Sequence, residues 1–221
     1  MPIHTPGLPG DIPPADVLWA RWALLAAIDA TTEAEASTYR TGMWVDHDGL
    51  HYEDGGCTWW AMSRVGEGRF VLYGEDESSG VKWHKPPIDM LAGGPDWLPF
   101  DELRERIAGY ELGCVYWFED GAWARAPYPE DLRDDGLSCG MSLFIEREQV
   151  LDELSVRLLE SAGRLGAEGI LSDAETRSLT PDRLVDVLRP ETPGDEPPDR
   201  PAIVRALLLA GIAVQQPSER R

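Results

Sequence analysis

Lysine is almost missing from this sequence. Of 20 basic residues only Lys82 and Lys85 are lysine, and they stand among 40 Asp and Glu, for a formal net charge of −20. A nucleic-acid backbone is held by Lys and Arg on its phosphates. The deficit therefore argues against direct nucleic-acid binding, and equally against an anionic membrane surface. The arginine bias, with abundant Ala, Gly, Pro and Asp, fits the codon usage of a high-GC bacterium. An acid excess with little Lys is also a halophile habit, but codon usage explains the arginine without it.

Cysteine is scarce and unpatterned. Cys57, Cys114 and Cys139 make an odd count at long spacings, and no C-x-x-C occurs. Neither a zinc knuckle nor a thioredoxin-type centre is indicated, and free, mostly buried thiols in a reducing cytoplasm are expected. The first 14 residues hold five prolines and no Lys or Arg, so they lack the basic start and apolar core of a signal peptide. The longest apolar stretch, near Ala206–Val214, is too short to span a bilayer. Cytoplasmic location is the resulting expectation.

Signatures of catalysis are missing as well. No P-loop, dinucleotide fingerprint, H-E-x-x-H or G-x-S-x-G is present, so no cofactor is expected. Gly66-Glu67-Gly68 lies between two strand-like runs and reads as a hairpin turn. Cys57, Cys139 and His84 have no neighbours that would mark a reactive thiol and its base.

What the chain does contain is core material. Its 221 residues are 43% apolar and include nine Trp, enough for one large domain or two small ones, with roughly 70% of the unfolded surface buried. Residues 1–14 read as an irregular arm. A helix is predicted from Ala15 to about Ala36, with Val17, Leu18, Leu24, Leu25 and Ile28 on its apolar face. Strands are predicted at Met43–His47 and Leu50–Glu53 around a two-residue Asp48-Gly49 turn, pairing Asp46 with His51 and Trp44 with Glu53. Thr58–Val65 and Phe70–Tyr73 complete a four-strand meander. Residues 75–99 read mostly as loop, followed by a short helix carrying Phe100, Leu103 and Ile107. A second hairpin, around Asp120-Gly121, pairs Phe118 with Trp123 and Tyr116 with Arg125. Leu143–Ile145 reads as a further strand.

The remainder is predicted helical. A stripe of Val150, Leu151, Leu154 and Leu158 begins near Glu146. Ser172 with Glu175 fits a capping box, and Thr180-Pro181 fits an N-cap with Pro at N1. Residues 190–201, with five prolines and four acids, have a linker composition. A last helix at Ala202–Ala213 precedes a polar tail, 215–221. The expected fold is α+β: an N-terminal helix, a largely antiparallel sheet of hairpins within 15–145, and a helical region at 146–214 packed on or beside it.

Charge is uneven. Residues 1–145 hold 25 acids and 10 bases, a net −15. A cluster of Asp46, His47, Asp48 and His51 offers metal-ligand chemistry, but alternation places the two histidines on opposite faces. Glu75-Asp76-Glu77-Ser78-Ser79-Gly80 lacks the alternating ligands of a calcium loop. In composition, size and layout the chain resembles the small acidic bacterial immunity proteins that neutralise toxins. That resemblance implies a non-catalytic module binding a basic protein, and it assigns no site residue. From the residues themselves, the contacts expected for such a partner are Asp46, Glu53, Asp54, Glu75, Asp76 and Glu77, with Trp44 as the aromatic anchor. The competing reading is a hydrolase with a carboxylate- or Trp-lined cleft, for which Trp59, Trp60 and Trp83 are available.

Overall fold

The computed structural model describes residues 2–158, 163–189 and 197–214. In chain order the elements are α1 (Ala15–Ile28), α2 (Thr32–Ala36), β1 (Gly42–Val45), β2 (Leu50–Glu53), β3 (Trp59–Gly66), β4 (Arg69–Glu75), α3 (Phe100–Ala108), β5 (Cys114–Glu119) and β6 (Ala122–Arg125). Five helices follow: α4 (Leu137–Ile145), α5 (Arg147–Arg157), α6 (Gly163–Glu175), α7 (Pro181–Leu188) and α8 (Arg200–Ala210). The six strands form one antiparallel meander in sequence order. The fold is therefore α+β, with an N-terminal helix and a helical C-terminal region. No helix among the described residues is long and apolar enough to cross a membrane.

Strand alternation sends two sets of side chains to opposite faces of the sheet. Val45, Leu50, Met62, Leu72 and Tyr116 lie in register on one face and join the core built with α1 and the C-terminal helices. Nearly every side chain of α1 is buried, as befits a helix that is apolar all round. It ends at Asp29 instead of continuing to Ala36, because Thr31 starts a new helix by accepting a hydrogen bond from the Ala34 N–H at 3.1 Å. Ala61, Val71, Tyr73, Val115 and Trp117 line the other face, under Val81, Met90, Leu91, Leu98, Leu103 and Leu112. The segment 75–99 is mostly loop, as expected, but it is not merely solvated: its apolar residues form a third layer. Its apolar residues escape a periodicity search because the backbone between them is irregular.

Three further expectations are corrected. Leu143–Ile145 is helix, not strand: Leu137, Met141, Phe144 and Ile145 recur at helical spacing and pack on the sheet. Ser172 does not begin a helix, since α6 runs through it; Glu175 instead takes Arg21 Nε at 2.8 Å. Of the three free cysteines only Cys114 is buried, Cys57 and Cys139 being exposed. The Thr180 cap is present, its Oγ1 accepting from Arg183 N at 3.3 Å.

Both Asp-Gly dipeptides turn, but differently. At Asp120-Gly121 both residues take positive φ (53° and 81°), and the strands pair Phe118 with Trp123 and Tyr116 with Arg125 as expected. At the first hairpin the pairs are Trp44 with His51 and Val45 with Leu50, two positions from the expected register. Asp46 moves from the strand into the turn, where its N–H donates to the Gly49 carbonyl at 2.9 Å. A shift of two leaves every side chain on its predicted face.

The N-terminal arm has one short 3-10 turn, Pro9–Asp11, but it is firmly attached. Gly7 N–H donates to Asp135 Oδ1 at 2.9 Å, and Tyr116 OH donates to Asp135 Oδ2 at 2.6 Å. Trp123 Nε1 donates to the Pro13 carbonyl at 2.7 Å. The arm thereby lies against β6, an edge strand, which limits strand addition there. Of the segment 190–201 expected to be a linker, 190–196 lies outside the described residues. Its last part starts α8, where Asp199 accepts from Ala202 N at 3.1 Å. The tail 215–221 also lies outside.

Candidate functional site

The residues singled out from the sequence fall at two ends of the sheet. Trp44, Asp46 and His51 lie at the β1–β2 hairpin. The carboxylate Asp46 Oδ1 accepts from Asp48 N at 2.9 Å and Gly49 N at 3.3 Å, and lies 2.9 Å from His51 Nε2; Oδ2 accepts from Trp44 Nε1 at 3.3 Å. Partial burial pushes this carboxyl up, but the His51 bond and charge, the Asp48 N–H and the indole outweigh it and bring it to about 2. Trp44 stacks on His51 at 5.1 Å, and the Arg40 guanidinium lies 5.2 Å from its ring centroid. Trp44 is therefore already engaged by groups of its own chain. His47 is exposed on the turn and takes no part in the Asp46–His51 pair. Among the described residues no group of three or more His, Cys, Asp or Glu could hold a metal ion.

The remaining acids gather where the β2–β3 turn meets the end of β4. Here carboxylates order backbone. Glu53 Oε1 accepts from Gly55 N at 2.9 Å, and Asp54 Oδ1 accepts from Gly56 N at 2.7 Å and Thr58 N at 3.2 Å. Asp76 is buried: Oδ2 accepts from the Thr58 hydroxyl at 2.7 Å, while Oδ1 accepts from Ser78 N at 2.9 Å and the Ser78 hydroxyl at 2.6 Å. These short polar side chains imitate turns, as Asp and Ser do. Glu75 forms an ion pair with Lys82. Glu77 and Asp54 are exposed. Asp76, expected as a contact, is thus held inside the turn, and Glu75 is partnered.

Lys82 leads from this acidic end to a feature that sequence reasoning did not place. Its Nζ also donates to the Tyr110 carbonyl at 3.2 Å and lies 5.3 Å from the Trp83 ring centroid. Trp83 and Tyr110 stack on each other at 5.7 Å with planes 20° apart, and they are 65% and 60% exposed. Tyr110 takes a left-handed φ of 59°, uncommon for a residue with a side chain. Its N–H donates to the Ile107 carbonyl at 3.0 Å. Trp83 appeared in the sequence only as one of several candidate cleft residues, and no local signal linked it to a tyrosine 27 positions away.

Several grooves open on this surface and elsewhere. One of about 210 Å³ lies beside Tyr110, lined by Val81, Pro87, Ile88 and Ile107 among others. Another, of about 500 Å³, runs between the N-terminal arm and α5, past Arg21 and Arg147. A third, of about 350 Å³, is lined by α2 and the segment to Thr41, including Tyr39 and Arg40. Comparison of the chain with protein-family models, with curated proteins and with solved structures found no match.

Proposed function

We propose that this chain is a non-catalytic acidic module that binds a basic protein, in the manner of an immunity or inhibitor protein. The observation that carries the reading is the acidic end of the sheet. There the β2–β3 turn and the end of β4 present exposed Asp54 and Glu77, and the Glu75–Lys82 ion pair ties the end of β4 to a stacked, exposed aromatic pair. Carboxylates supply attraction and steering, but each exposed ion pair is worth about 1 kcal/mol or less. A stable interface also needs large side chains that lose water on contact, and Trp83 and Tyr110 provide them. Glu53, Asp54 and Asp76, the acids a hydrolase would draw on here, serve as acceptors for turn N–H and hydroxyl groups.

Trp44 and Asp46 form a secondary contact region at the other end of β1–β2 in this reading. Affinity capture from the source cell tests the proposal. A specific partner with a strong excess of Lys and Arg is expected. Capture of a specific partner that is acidic, or turnover of a small substrate by the purified chain, overturns it.

A further inference from the structure

We infer that the groove beside Tyr110 seats an aliphatic side chain from a lysine- or arginine-rich segment of the partner, with the fixed Trp83–Tyr110 stack as its neighbouring contact. The inference rests on the basic-partner reading and adds to it the anchor and the kind of segment that fits.

The size of the groove selects the occupant. About 210 Å³ is below the roughly 300–1,000 Å³ of small-molecule sites, and suits a side chain. Its walls are mostly apolar, from Val81, Pro87, Ile88, Met90, Ile107 and Tyr110, and the one charged side chain among them is Lys82. The stack beside it is pre-ordered. Trp83 ends the 3-10 turn Val81–Trp83, Lys82 ties that turn to both Glu75 and the Tyr110 carbonyl, and the left-handed backbone at Tyr110 aims its ring onto Trp83. Side chains already fixed lose little entropy on binding. Strained backbone holding an exposed aromatic ring is costly for a surface with no task.

Charge selects the rest of the segment. Residues 74–113, which form the groove, hold nine acids and four bases. One of the cations at the groove, Lys82, is neutralised by Glu75. Asp89 and Glu111 adjoin the lining residues Ile88 and Tyr110 in sequence, and both are exposed, Glu111 sharing its charge with Arg106 at 3.4 Å. An apolar side chain flanked by Lys or Arg satisfies groove and rim together. Trp44, by contrast, already has Arg40 and His51 over its ring.

The test is titration of the full chain, with 15N-labelled indoles followed by NMR, against two short synthetic peptides of equal charge. One alternates Lys with Leu and the other Lys with Ser; Trp83→Phe assigns the Trp83 signal. Tyr110→Asn removes the ring while keeping a residue that tolerates left-handed φ, so the turn survives. The Lys/Leu peptide is expected to shift Trp83 and not Trp44, and to bind roughly tenfold more weakly to Tyr110→Asn. The Lys/Ser peptide is expected to bind more weakly and to ignore that substitution. If both peptides bind alike and Tyr110→Asn changes neither, the groove proposal fails while the acidic-face reading stands. If neither peptide binds at low salt, both fail. Self-association of the free chain that is abolished by Tyr110→Asn makes a second copy the occupant and overturns the proposal.

Discussion

Gly140 of α4 lies directly against the indole of Trp60 in β3, so close that any Cβ at position 140 would overlap the ring at Nε1. That contact lets α4 sit flat on the sheet and leaves the buried Trp60 Nε1 without a hydrogen-bond partner. Gly140→Ala should therefore destabilise the protein by about 1–3 kcal/mol, the usual cost of overpacking, although alanine is the better helix former. Thermal or urea unfolding measures it. A stabilised Gly140→Ala variant would mean that α4 does not make this approach.

Arg21 is the one charged residue on the buried surface of α1. It joins α1 to α6 through Glu175 at 2.8 Å and to the end of α4 through the Ile145 carbonyl at 2.7 Å. Removing one partner of a buried pair strands the other, typically at about 3–5 kcal/mol. Glu175 keeps a fifth of its side chain exposed, so Glu175→Ala should cost about 3 kcal/mol, at the lower end. The double variant Arg21→Met with Glu175→Leu should recover most of that loss. An equal or greater loss in the double variant would show that Arg21 contributes more through Ile145 than through its charge partner.

The helices and strands with regular apolar spacing were legible in the sequence, because periodicity is a local property. The second hairpin was read to the residue pair, since Phe118, Trp123 and the Asp120-Gly121 turn point to one register. The first was misplaced by two positions. Asp46 looks like a strand residue there, yet its carboxylate collects two turn N–H groups. Gly49 is required for another reason: a Cβ there would run into the Met62 carbonyl of β3, which no reading of β1 and β2 alone could reveal. The candidate site was legible only in part. The acids were visible as a run, but whether a given carboxylate faces solvent or caps a turn depends on contacts such as Thr58 with Asp76. The Trp83–Tyr110 stack joins distant segments and left no sequence signature.

His84 has both ring nitrogens near acceptors, Nδ1 at 2.8 Å from the Pro86 carbonyl and Nε2 at 3.1 Å from Asp131 Oδ1. Only the doubly protonated ring can donate to both. The Pro86 carbonyl, then Asp131, accordingly raise its pKa above the usual histidine value. A raised folded-state pKa gives stability that is present below the unfolded value and lost as pH rises through the folded one. His84→Gln should therefore narrow the fall in melting temperature of the wild-type chain between pH 6 and 8, about where histidine titrates. Identical pH profiles would show that His84 is not held as the cation.

Thiol labelling should separate the cysteines into two classes. Cys57 and Cys139 are exposed, while Cys114 is buried in β5, where burial pushes its thiol well up. Alkylation of the native chain at neutral pH, read by mass spectrometry, should modify Cys57 and Cys139 and spare Cys114 until the protein is unfolded. Early modification of Cys114 would contradict the packing of β5 between two apolar layers.

The most direct measurement of the account is the association rate of the captured basic partner across a salt series, for wild type and for Glu77→Lys combined with Glu111→Lys. Both residues are exposed, and the ion pair given up is the surface contact of Glu111 with Arg106, worth about 1 kcal/mol or less. Electrostatic steering by the acidic end predicts a wild-type rate that falls about tenfold from low to physiological salt. It also predicts a variant that is slower at low salt, with a flatter salt dependence. A rate that ignores both salt and the two reversals would contradict the claim that this face recruits a basic protein.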